Sequence, residues 1–579
     1  MPKTPNYDAK VKSILNATQP GERVCELTGE KWVMDEEEIG WYKKFNVPPS
    51  KRSPLTRMKN ICGFFVMYQF WYQTHPETGK KFITVVHPAS GFKALPDPEW
   101  FGNDYSSVTR DIDLEVPGLD MILSLQKEIP FPGTKFLKEP INSISLASLG
   151  DVNSYFVMAC RSRNAFYSAD ALDIEDVAEV SMSTQVKESY HVVQSHRIYK
   201  SNFILESRDC ITSSFLFDCH NCEFCFGATN KRNRKYLWFN EQLSKEEWER
   251  RMADVNLSSS SKLEDYRRRF HDLMVEQAIW PDNFGEKCTN VIGNHVNNAT
   301  DCSYVFNGLD GPFRDLHYCT YCYGNSYDCV FVGAPVSANT CYYTNTPVNA
   351  SRVKFSHFTP DCQNVEYSSY CFNCENCFGC VGLRYKKFYI FNKEYSEEVY
   401  WNKLDEVKCA MLDRGEYGEM LPLSFAPTYL PDGGGPMVYM MKNEELEKLG
   451  GTIYPPDSEG ASGVIGDVGE MKTVDDVPDR IDDMGDDWAG IPIYDPEYKR
   501  RFAYVKPELG FYRKLRIAAP RTHFVKRVLN LIMEQGSAIF FETTCGKCKT
   551  SVITTKHKDY PSRTIYCRTC YLHYLEQHG

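Results

Sequence analysis

The sequence predicts a mainly β protein with some helix, in which a duplicated, cysteine-rich core resembling a parallel β-helix is flanked by zinc-ribbon-type modules. Three observations predict this fold. The middle of the chain repeats itself, so that Cys219 is matched by Cys371, its cysteines recur at nearly equal intervals, and two C-x-x-C pairs lie near the C-terminus. Repeat units must lie on a neighbour to bury a core, so the middle is predicted to be a stack.

The duplication is clearest in two cysteine triplets, each of which is followed by Phe-Gly. The first is formed by Cys219, Cys222 and Cys225, and the second by Cys371, Cys374 and Cys377. The same offset, 152 positions, then holds without a gap as far as Glu246 and Glu398. The chain therefore contains two copies of one cysteine-rich unit.

The repeat region is rich in Tyr, Phe, Val, Thr, Asn and Ser with turn residues between them, which favours strands. Five of its cysteines follow one another at nearly equal intervals: Cys302, Cys322, Cys341, Cys362 and Cys380. A near-constant period of about 20 residues fits one turn of a parallel β-helix, whose equivalent inward positions stack. A helix is predicted from Leu263 to Ile279, between the two copies.

Composition divides the chain into five regions. They are an N-terminal mixed domain with a degenerate zinc knuckle (1–135), a first cysteine-rich half with helices (140–280), a second half (281–420), an acidic Gly/Pro-rich linker (421–497), and a basic segment with a zinc ribbon (498–579). The linker is predicted because it opens on the breaker run Pro431 to Pro436 and then carries 11 acidic residues against two basic ones from Asp457 to Asp487.

The totals indicate a cytoplasmic, reduced protein. The net charge is −11, the N-terminus has no apolar signal core, and no run of about 18 apolar residues predicts a membrane span. In a reducing compartment the 23 cysteines are expected to be metal ligands or small core residues rather than disulfides. Incorporation into a virus particle is compatible with this location.

The strongest local signal is C-terminal, where one C-x-x-C knuckle closely follows another: Cys545, Cys548, Cys567 and Cys570. Two knuckles at this spacing supply four thiolates to one tetrahedral Zn²⁺. Because all four positions are filled by cysteine, no position remains for a substrate water. The sequence therefore predicts a structural zinc site, with free thiol pairs or a redox pair as alternatives.

The cysteine triplets allow two interpretations. Cys371, Cys374, Cys377 and Cys380 are similar to a ferredoxin-type run, although the last spacing differs and no proline follows. In the first half, however, Ala228 stands at the position of Cys380 and Ser189 at that of Cys341. Free cysteine packs as a small hydrophobe, so a buried core ladder is favoured over zinc, another metal or an iron–sulfur cluster. A second metal site at Cys219, Cys222, Cys225, Cys371, Cys374 and Cys377 remains the alternative.

The two ends of the chain share a second repeat. Residues 38–45 match residues 508–515 at an offset of 470, and Arg57 then matches Arg527. Cys25 and Thr28 have the spacing of one zinc knuckle with threonine at the second ligand position. This pattern is typical of a knuckle that has lost its metal.

The basic segment suggests one possible partner. From Lys499 to Arg527 there are ten Lys and Arg residues and one acid, with aromatic residues interleaved. Such a surface could bind RNA or a ribosome through Arg513, Lys514 and Arg516. The other interpretation is that the basic segment pairs with the acidic one or that both are simply solvated.

These signals do not indicate an enzyme. The usual hydrolase, nucleotide-binding and zinc-protease motifs are absent from the sequence, and a Cys–His pair near His220, His317 or His357 is the remaining route to catalysis. The first hypothesis is a non-enzymatic zinc-binding scaffold that binds protein partners or assembles with itself, as part of a larger assembly or particle. The alternatives are an RNA- or ribosome-associated zinc protein and a cysteine-based metal or redox enzyme. No small-molecule substrate is inferred.

Nearly the whole chain resembles an uncharacterised family of Cys-rich zinc-ribbon and repeat proteins from small-genome bacteria and large DNA viruses, some labelled as CoA-transferases. Four segments carry the resemblance: Cys25 to Trp32, Trp41 to Lys44, Asn376 to Tyr395, and Thr555 to Tyr571. The resemblance implies zinc-ribbon ends around a repeat core and no known activity. The chain departs from the family's C-P-x-C-R knuckles at Ser53 to Arg57 and at Thr522 to Arg527.

Overall fold

The computed structural model describes residues 3–135, 137–455 and 471–579. Strands make up 33% of the residues and helices 28%, which confirms the prediction of a mainly β protein. The two largest sheets have 12 and 10 strands, are parallel except at one end strand each, and lie one in each predicted cysteine-rich half. Within the described residues, no helix has the length and apolar character needed to cross a membrane.

The N-terminal region combines hairpins and short helices that pack on the sheets. Its elements are α1 (Pro5–Ala17), β1 (Gly21–Val24), β2 (Lys31–Met34), α2 (Glu36–Phe45), α3 (Pro54–Gly63), β3 (Trp71–Thr74), β4 (Lys81–Thr84), β5 (Ala94–Leu95), α4 (Asp97–Gly102), α5 (Gly118–Glu128) and β6 (Phe131–Pro132). Strands β1 and β2 pair antiparallel, as do β3 and β4, so each pair is a hairpin.

The first sheet is built from short strands, most of which pair in parallel with a strand at a fixed interval along the chain. Its strands are β7 (Ile144–Leu146), β8 (Tyr155–Met158), β9 (Arg161–Phe166), β10 (Leu172–Ser181), β11 (Thr184–Val193), β12 (His196–Tyr199), β13 (Asn202–Leu205), β14 (Arg208–Ile211), β15 (Ser214–Phe217), β16 (Phe226–Thr229), β17 (Leu237–Trp238) and β18 (Glu241–Gln242). From β10 to β17 every parallel partner lies 12 positions away, as in the pairs Leu172–Thr184 and Phe226–Trp238.

A period of three residues underlies this register. Every third residue from Ser162 to Ala228 is buried, and every third residue from Asn164 to Asn233 has a positive φ. The positive-φ residue precedes the buried one, so the backbone turns at a corner before each inward side chain. Four such units make up the interval between one strand and its partner. The left-handed conformation is costly for most residues, and here the ladder hydrogen bonds on both sides hold it.

The inward residues are uncharged, and cysteine is one of several types that fit. Ser195 donates a hydrogen bond to the carbonyl of Val193, and its hydroxyl accepts one from the amide of Ser207, 12 positions further on. Cys219 occupies the same kind of position and donates to the carbonyl of Phe217 over 3.4 Å. The period predicted from the cysteines is therefore wrong, because cysteine marks only some inward positions and serine, alanine, valine, isoleucine and leucine fill the others.

Two helices and one strand separate the sheets, namely α6 (Lys245–Ala253), α7 (Ser260–Gln277) and β19 (Ile279–Pro281). Helix α7 confirms the helix predicted between the copies. The second sheet consists of β20 (Cys288–Val296), β21 (Ala299–Leu309), β22 (Phe313–Tyr323), β23 (Ser326–Gly333), β24 (Tyr342–Asn345), β25 (Ser351–Lys354), β26 (Gln363–Glu366), β27 (Glu375–Phe378), β28 (Lys387–Ile390) and β29 (Lys393–Glu394). From β23 to β28 its partners are related by the same interval as in the first sheet.

The region predicted as an acidic linker is packed wherever the structure describes it. It follows α8 (Glu397–Asp413) and contains α9 (Gly434–Tyr439) and α10 (Asn443–Lys448). Leu421, Phe425 and Trp488 are buried, so these parts are not an extended linker. A Cβ on Gly434 would lie 2.5 Å from that of Phe65, so the glycine run permits close packing rather than flexibility. Residues 456–470, which include part of the acidic run, lie outside the described residues.

The C-terminal region repeats the N-terminal one. Its elements are β30 (Lys472–Thr473), β31 (Ile493–Asp495), β32 (Arg500–Phe502), α11 (Lys506–Leu515), α12 (Phe524–Met533), β33 (Phe540–Thr544), β34 (Ser551–Thr555), β35 (Thr564–Tyr566) and α13 (Arg568–His578). Helices α11 and α12 have the same lengths as α2 and α3, and their first residues are related to those of α2 and α3 by the offset found in the sequence. The shared pattern at the two ends of the sequence is therefore a structural duplication.

Each end packs on the sheet of the other half of the repeat region. In α3, Arg57 contacts Glu38 and Tyr42 and lies 3.7 Å from the ring centre of Phe331 in the second sheet. In α12, the equivalent Arg527 lies 3.6 Å from Glu508 and 2.8 Å from Glu179 in the first sheet. Both guanidinium groups are buried. The two ends are thus attached by related but chemically different contacts.

His191 belongs to the contact around Arg527. Its Nδ1 lies 3.4 Å from Glu179 and its Nε2 lies 3.0 Å from Glu534, which follows α12. Burial tends to lower the pKa of His191, but the two carboxylates outweigh burial and the nearby Arg267 and raise it to about 9. At neutral pH the side chain is therefore an imidazolium between two carboxylates.

We expect this imidazolium to make stability depend on pH. Because the folded pKa lies above the ordinary 6.5, its contribution is complete below pH 6.5 and is lost as pH rises through about 9. Replacing His191 by Gln should cost about 2–4 kcal/mol in the acid part of this window and little above it. Urea unfolding of both proteins below pH 6.5 and above pH 9 measures the difference. An equal loss at both ends would contradict the assignment.

Candidate metal centre

Four cysteines of the C-terminal region converge on one point. The sulfurs of Cys545, Cys548, Cys567 and Cys570 all lie within 4.8 Å of one another, and those of Cys548 and Cys567 are 3.7 Å apart. Among the residues that the structure describes, this is the only group of three or more His, Cys, Asp or Glu residues gathered so closely. The predicted ligand set is therefore brought together as the sequence indicated.

The local backbone explains why the sulfurs meet. Cys545 and Cys548 lie in the turn of the hairpin β33–β34, where the amide of Cys545 donates to the carbonyl of Thr550 and the amide of Lys549 donates to the carbonyl of Cys545. Cys567 is the N-cap of α13, and Cys570 lies in the first turn of that helix. A hairpin turn and a helix start thus present two sulfurs each.

Hydrogen bonds reach two of the four sulfurs. The amide of Cys567 donates to the sulfur of Cys545 over 3.3 Å, and the hydroxyl of Thr550 lies 3.3 Å from the sulfur of Cys548. Hydrogen bonds from Thr550 lower the pKa of Cys548 to about 6, whereas burial and the neighbouring cysteines raise the pKa of Cys570 to about 12. The four sulfurs could hold one metal ion.

The metal centre is attached to the repeat body. Strand β35 pairs in parallel with β19, and Tyr571 of α13 donates a hydrogen bond to the buried Asp218 of the first sheet region. The side chain of Arg234 donates to the carbonyl of the last residue, Gly579, over 2.7 Å. The same corner of the repeat therefore carries the first cysteine triplet and holds the helix that presents two of the metal ligands.

The cysteine triplets themselves point into the interior of the repeats. All six sulfurs are buried, and each lies within hydrogen-bonding distance of backbone carbonyls, for example Cys222 with His220 and Cys374 with Phe372. They do not form a cluster in which three sulfurs lie within 4.8 Å of one another, in the part of the chain that the structure describes. This arrangement is that of a core ladder.

The structure also relates the metal centre to positions that the sequence analysis did not connect with it. The offset between the two ends carries Cys545, Cys548, Cys567 and Cys570 onto His75, Thr78, Asp97 and Trp100. His75 makes the same two turn hydrogen bonds as Cys545, to Lys80 and from Gly79. Its Nε2 lies 2.7 Å from Glu99, so an ion-pair-type contact replaces a thiolate there. Extending the same offset to the C-terminal knuckles would have revealed this relation.

The degenerate knuckle at Cys25 and Thr28 lies beside the start of α3, and its counterpart lies beside the start of α12. The Cys25 sulfur is 3.5 Å from the hydroxyl of Thr56, and the hydroxyl of Ser53 is 2.9 Å from the same group. At the other end, Asp495 accepts a hydrogen bond from the amide of His523 over 2.9 Å. At these two places, hydrogen bonds from hydroxyl groups or to a carboxylate stabilise the turns. In the C-terminal cysteine cluster, sulfurs occupy the corresponding kind of position.

Two of the residues predicted to bind RNA are paired within the chain. Arg513 contacts Asp486 over 2.6 Å, and Lys514 lies 3.5 Å from Asp176, whereas Arg516 is exposed. Asp486 also pairs with Lys506 over 2.9 Å. The acidic and basic segments therefore neutralise each other in part, as one of the two sequence interpretations anticipated.

The histidines near the cysteines have oxygen partners. His317 lies 2.6 Å from the hydroxyl of Ser303, His357 lies 3.0 Å from the amide oxygen of Asn345, and His220 lies 3.7 Å from Asp218. These contacts give the rings structural roles.

No protein-family model, curated protein or solved structure matches the chain. The chemistry of the metal centre is therefore inferred from its own residues.

Proposed function

We propose that the protein is a non-enzymatic scaffold with one structural zinc ion bound by Cys545, Cys548, Cys567 and Cys570. The convergence of four cysteine sulfurs, with no fifth donor and no open position, is the observation that carries the proposal. Zinc would join the turn of β33–β34 to the start of α13, because each of them supplies two of the four sulfurs. The metal's role here is to fix a fold.

The rest of the fold supports a scaffold. The constant strand register and the period of three favour a narrow β-helix-like coil in each half, with the C-terminal module as a zinc ribbon. Coils of this kind present long, regular surfaces for protein partners or for further copies of the chain. All 23 cysteines are unpaired, which supports a reducing compartment such as the cytoplasm.

Metal analysis tests the zinc assignment. Purified protein should contain about one zinc ion per chain, because one tetrahedral thiolate site binds one ion. Replacing Cys548 by Ser should remove most of this zinc, whereas the same replacement at the half-buried Cys409 of α8 should leave it unchanged. Iron in place of zinc, or equal zinc in both variants, would contradict the assignment.

Partner analysis tests the scaffold. Mild cross-linking in cells followed by mass spectrometry should recover a stoichiometric complex, either of several copies or with a fixed partner. A monomer without a constant companion under these conditions would count against the proposal. RNA recovered in place of protein would favour the alternative function suggested by the basic segment.

A further inference from the structure

A large cavity lies between the first sheet, helix α7 and the C-terminal region, apart from the metal centre. Its volume is about 760 Å³, within the range of small-molecule sites. Aromatic rings from all three parts form much of its wall: Tyr190, Phe203, Phe215, Phe270 and Tyr560. Phe203 and Phe215 are stacked with their ring centres 4.6 Å apart. The two rings face each other and are almost fully buried, so they form an apolar wall rather than an open ring face.

Positive charge remains available beside this surface. Of the carboxylates that line the cavity, Glu179 is engaged by Arg527 and Glu534 by His191, and Glu264 and Asp559 also lie at the wall. Arg267 of α7 lies 4.9 Å from the ring centre of Phe203, and its buried Nε has no hydrogen-bond partner in the described part of the chain. Arg521 also lines the cavity, where its Nη2 donates a hydrogen bond to the carbonyl of Val477 over 2.6 Å and its Nε has no partner among the described residues, and Lys558 lies at the same cavity. The remaining guanidinium N–H groups can donate to an anionic ligand.

The duplicated half of the molecule is closed at the corresponding place. The offset between the two halves carries Glu179 to Phe331, His191 to Tyr343, Phe203 to Phe355 and Phe215 to Tyr367. There the ring of Tyr417 packs on Phe355 and Tyr367, with centre distances of 5.4 and 5.6 Å. The same fold is thus filled by aromatic packing in one copy and left open and charged in the other. Because interiors are normally close-packed, this difference indicates a site rather than a defect.

We propose that this cavity binds an anionic small molecule with a flat aromatic ring, of the chemical class of the mononucleotides. The ring would pack against the aromatic wall of the cavity, where Phe270 and Tyr560 are only half-buried. The phosphate would accept hydrogen bonds from Arg267 and Arg521, with Lys558 adding positive charge at the exposed side. This ligand is independent of the zinc ion and of the scaffold role.

Calorimetric titration of the full-length, zinc-loaded protein with AMP tests the proposal. AMP should bind with a Kd below about 1 mM. Replacing Arg267 by Gln should weaken binding by about 10- to 100-fold, the value of a charged hydrogen bond. Replacing Arg268 by Gln on the same helix is the matched control, because Arg268 is paired with Asp265 and does not line the cavity, and it should leave affinity unchanged.

Two further arms make the result specific. Adenosine and inorganic phosphate should each bind more weakly than AMP, and Lys558→Gln, at an exposed position, should weaken AMP binding without affecting folding. The proposal is overturned if AMP does not bind at about 1 mM, or if Arg267→Gln and Arg268→Gln bind it equally well. It is also overturned if phosphate or adenosine alone binds as tightly as AMP.

Discussion

Replacing Cys567 by Ser is expected to release the metal centre and loosen the C-terminal region from about residue 540 onward. Three thiolates would remain for zinc, and the N-cap of α13 would lose its bond to the metal. Zinc binding in modules of this size contributes on the order of 10 kcal/mol to folding, so a large fraction of the local stability depends on it. Val552 is the one side chain of β33–β34 that is both apolar and fully buried, and the half-buried Phe540 and Phe541 also pack on the core, so the metal adds to a limited apolar contact.

The effect should spread along the contacts of α13 and stop within the repeat. Hydrogen exchange should rise in β33–β35 and α13, and then in β19 and the turns around Asp218, which α13 and β35 contact. Exchange in β8 to β11 should not change. Zinc chelation of the natural protein should produce the same pattern, and Cys409→Ser should produce none of it. Unchanged exchange in α13 after chelation would show that the sulfurs converge without a metal.

The C-terminal cysteine cluster could be predicted from sequence because its signal is local. Two C-x-x-C pairs specify the chemistry of four ligands within one short segment, from Cys545 to Cys570. The duplications were also visible, since a constant offset leaves a direct trace, from Cys219 to Cys371 and from Arg57 to Arg527. The relation of His75 to Cys545 was missed because histidine and threonine replace cysteine there, and a search for cysteine pairs does not find them.

The repeat period predicted from the cysteines was wrong, and the cause is physical. Any small side chain fits the narrow interior, so Ser195, Ala228 and Cys219 are equivalent inside although they differ in sequence. Following cysteine alone therefore gave a longer period than the one the backbone uses. The linker prediction failed similarly, because Gly434 serves close packing on Phe65 and resembles a flexible segment only in sequence. The cavity joins residues from distant parts of the chain, such as those of the first sheet and of the zinc module, which no local pattern connects.

Replacing Arg527 by Met is expected to lower the free energy of unfolding by about 3–5 kcal/mol. The side chain is buried between Glu179 and Glu508, which are 3% and 0% exposed. Burial acts to raise the pKa of Glu179, and Arg527 with His191 overcomes this and holds it at about 2. Without the guanidinium, Glu508 would keep only neutral donors, namely the hydroxyls of Tyr167 and Tyr512 and the amide of Val505. Glu179 would keep His191 and the nearby charge of Arg267.

The duplicated fold supplies a matched control in Arg57→Met. Arg57 occupies the equivalent position on α3, but Phe331 stands where Glu179 would be, so only Glu38 would lose its partner. Glu38 also keeps hydrogen bonds from Tyr42 and Trp32. The free energy of unfolding should therefore fall by about 3 kcal/mol in Arg57→Met, which is less than in Arg527→Met. Urea unfolding of both variants at neutral pH measures the difference.

The pH dependence separates lost charge pairing from lost packing. In Arg527→Met, loss of the cation should raise the folded pKa of Glu179 above its ordinary 4.5 and should raise further the pKa of Glu508, which burial already raises in the natural protein. Carboxylates with raised pKa values destabilise the fold at neutral pH, and this penalty disappears as they take up protons on acidification. The loss in Arg527→Met should thus shrink towards about pH 5, and Glu179→Gln added to it should recover part of the stability at neutral pH. A loss that is the same at both pH values would mean that Arg527 acts through packing alone.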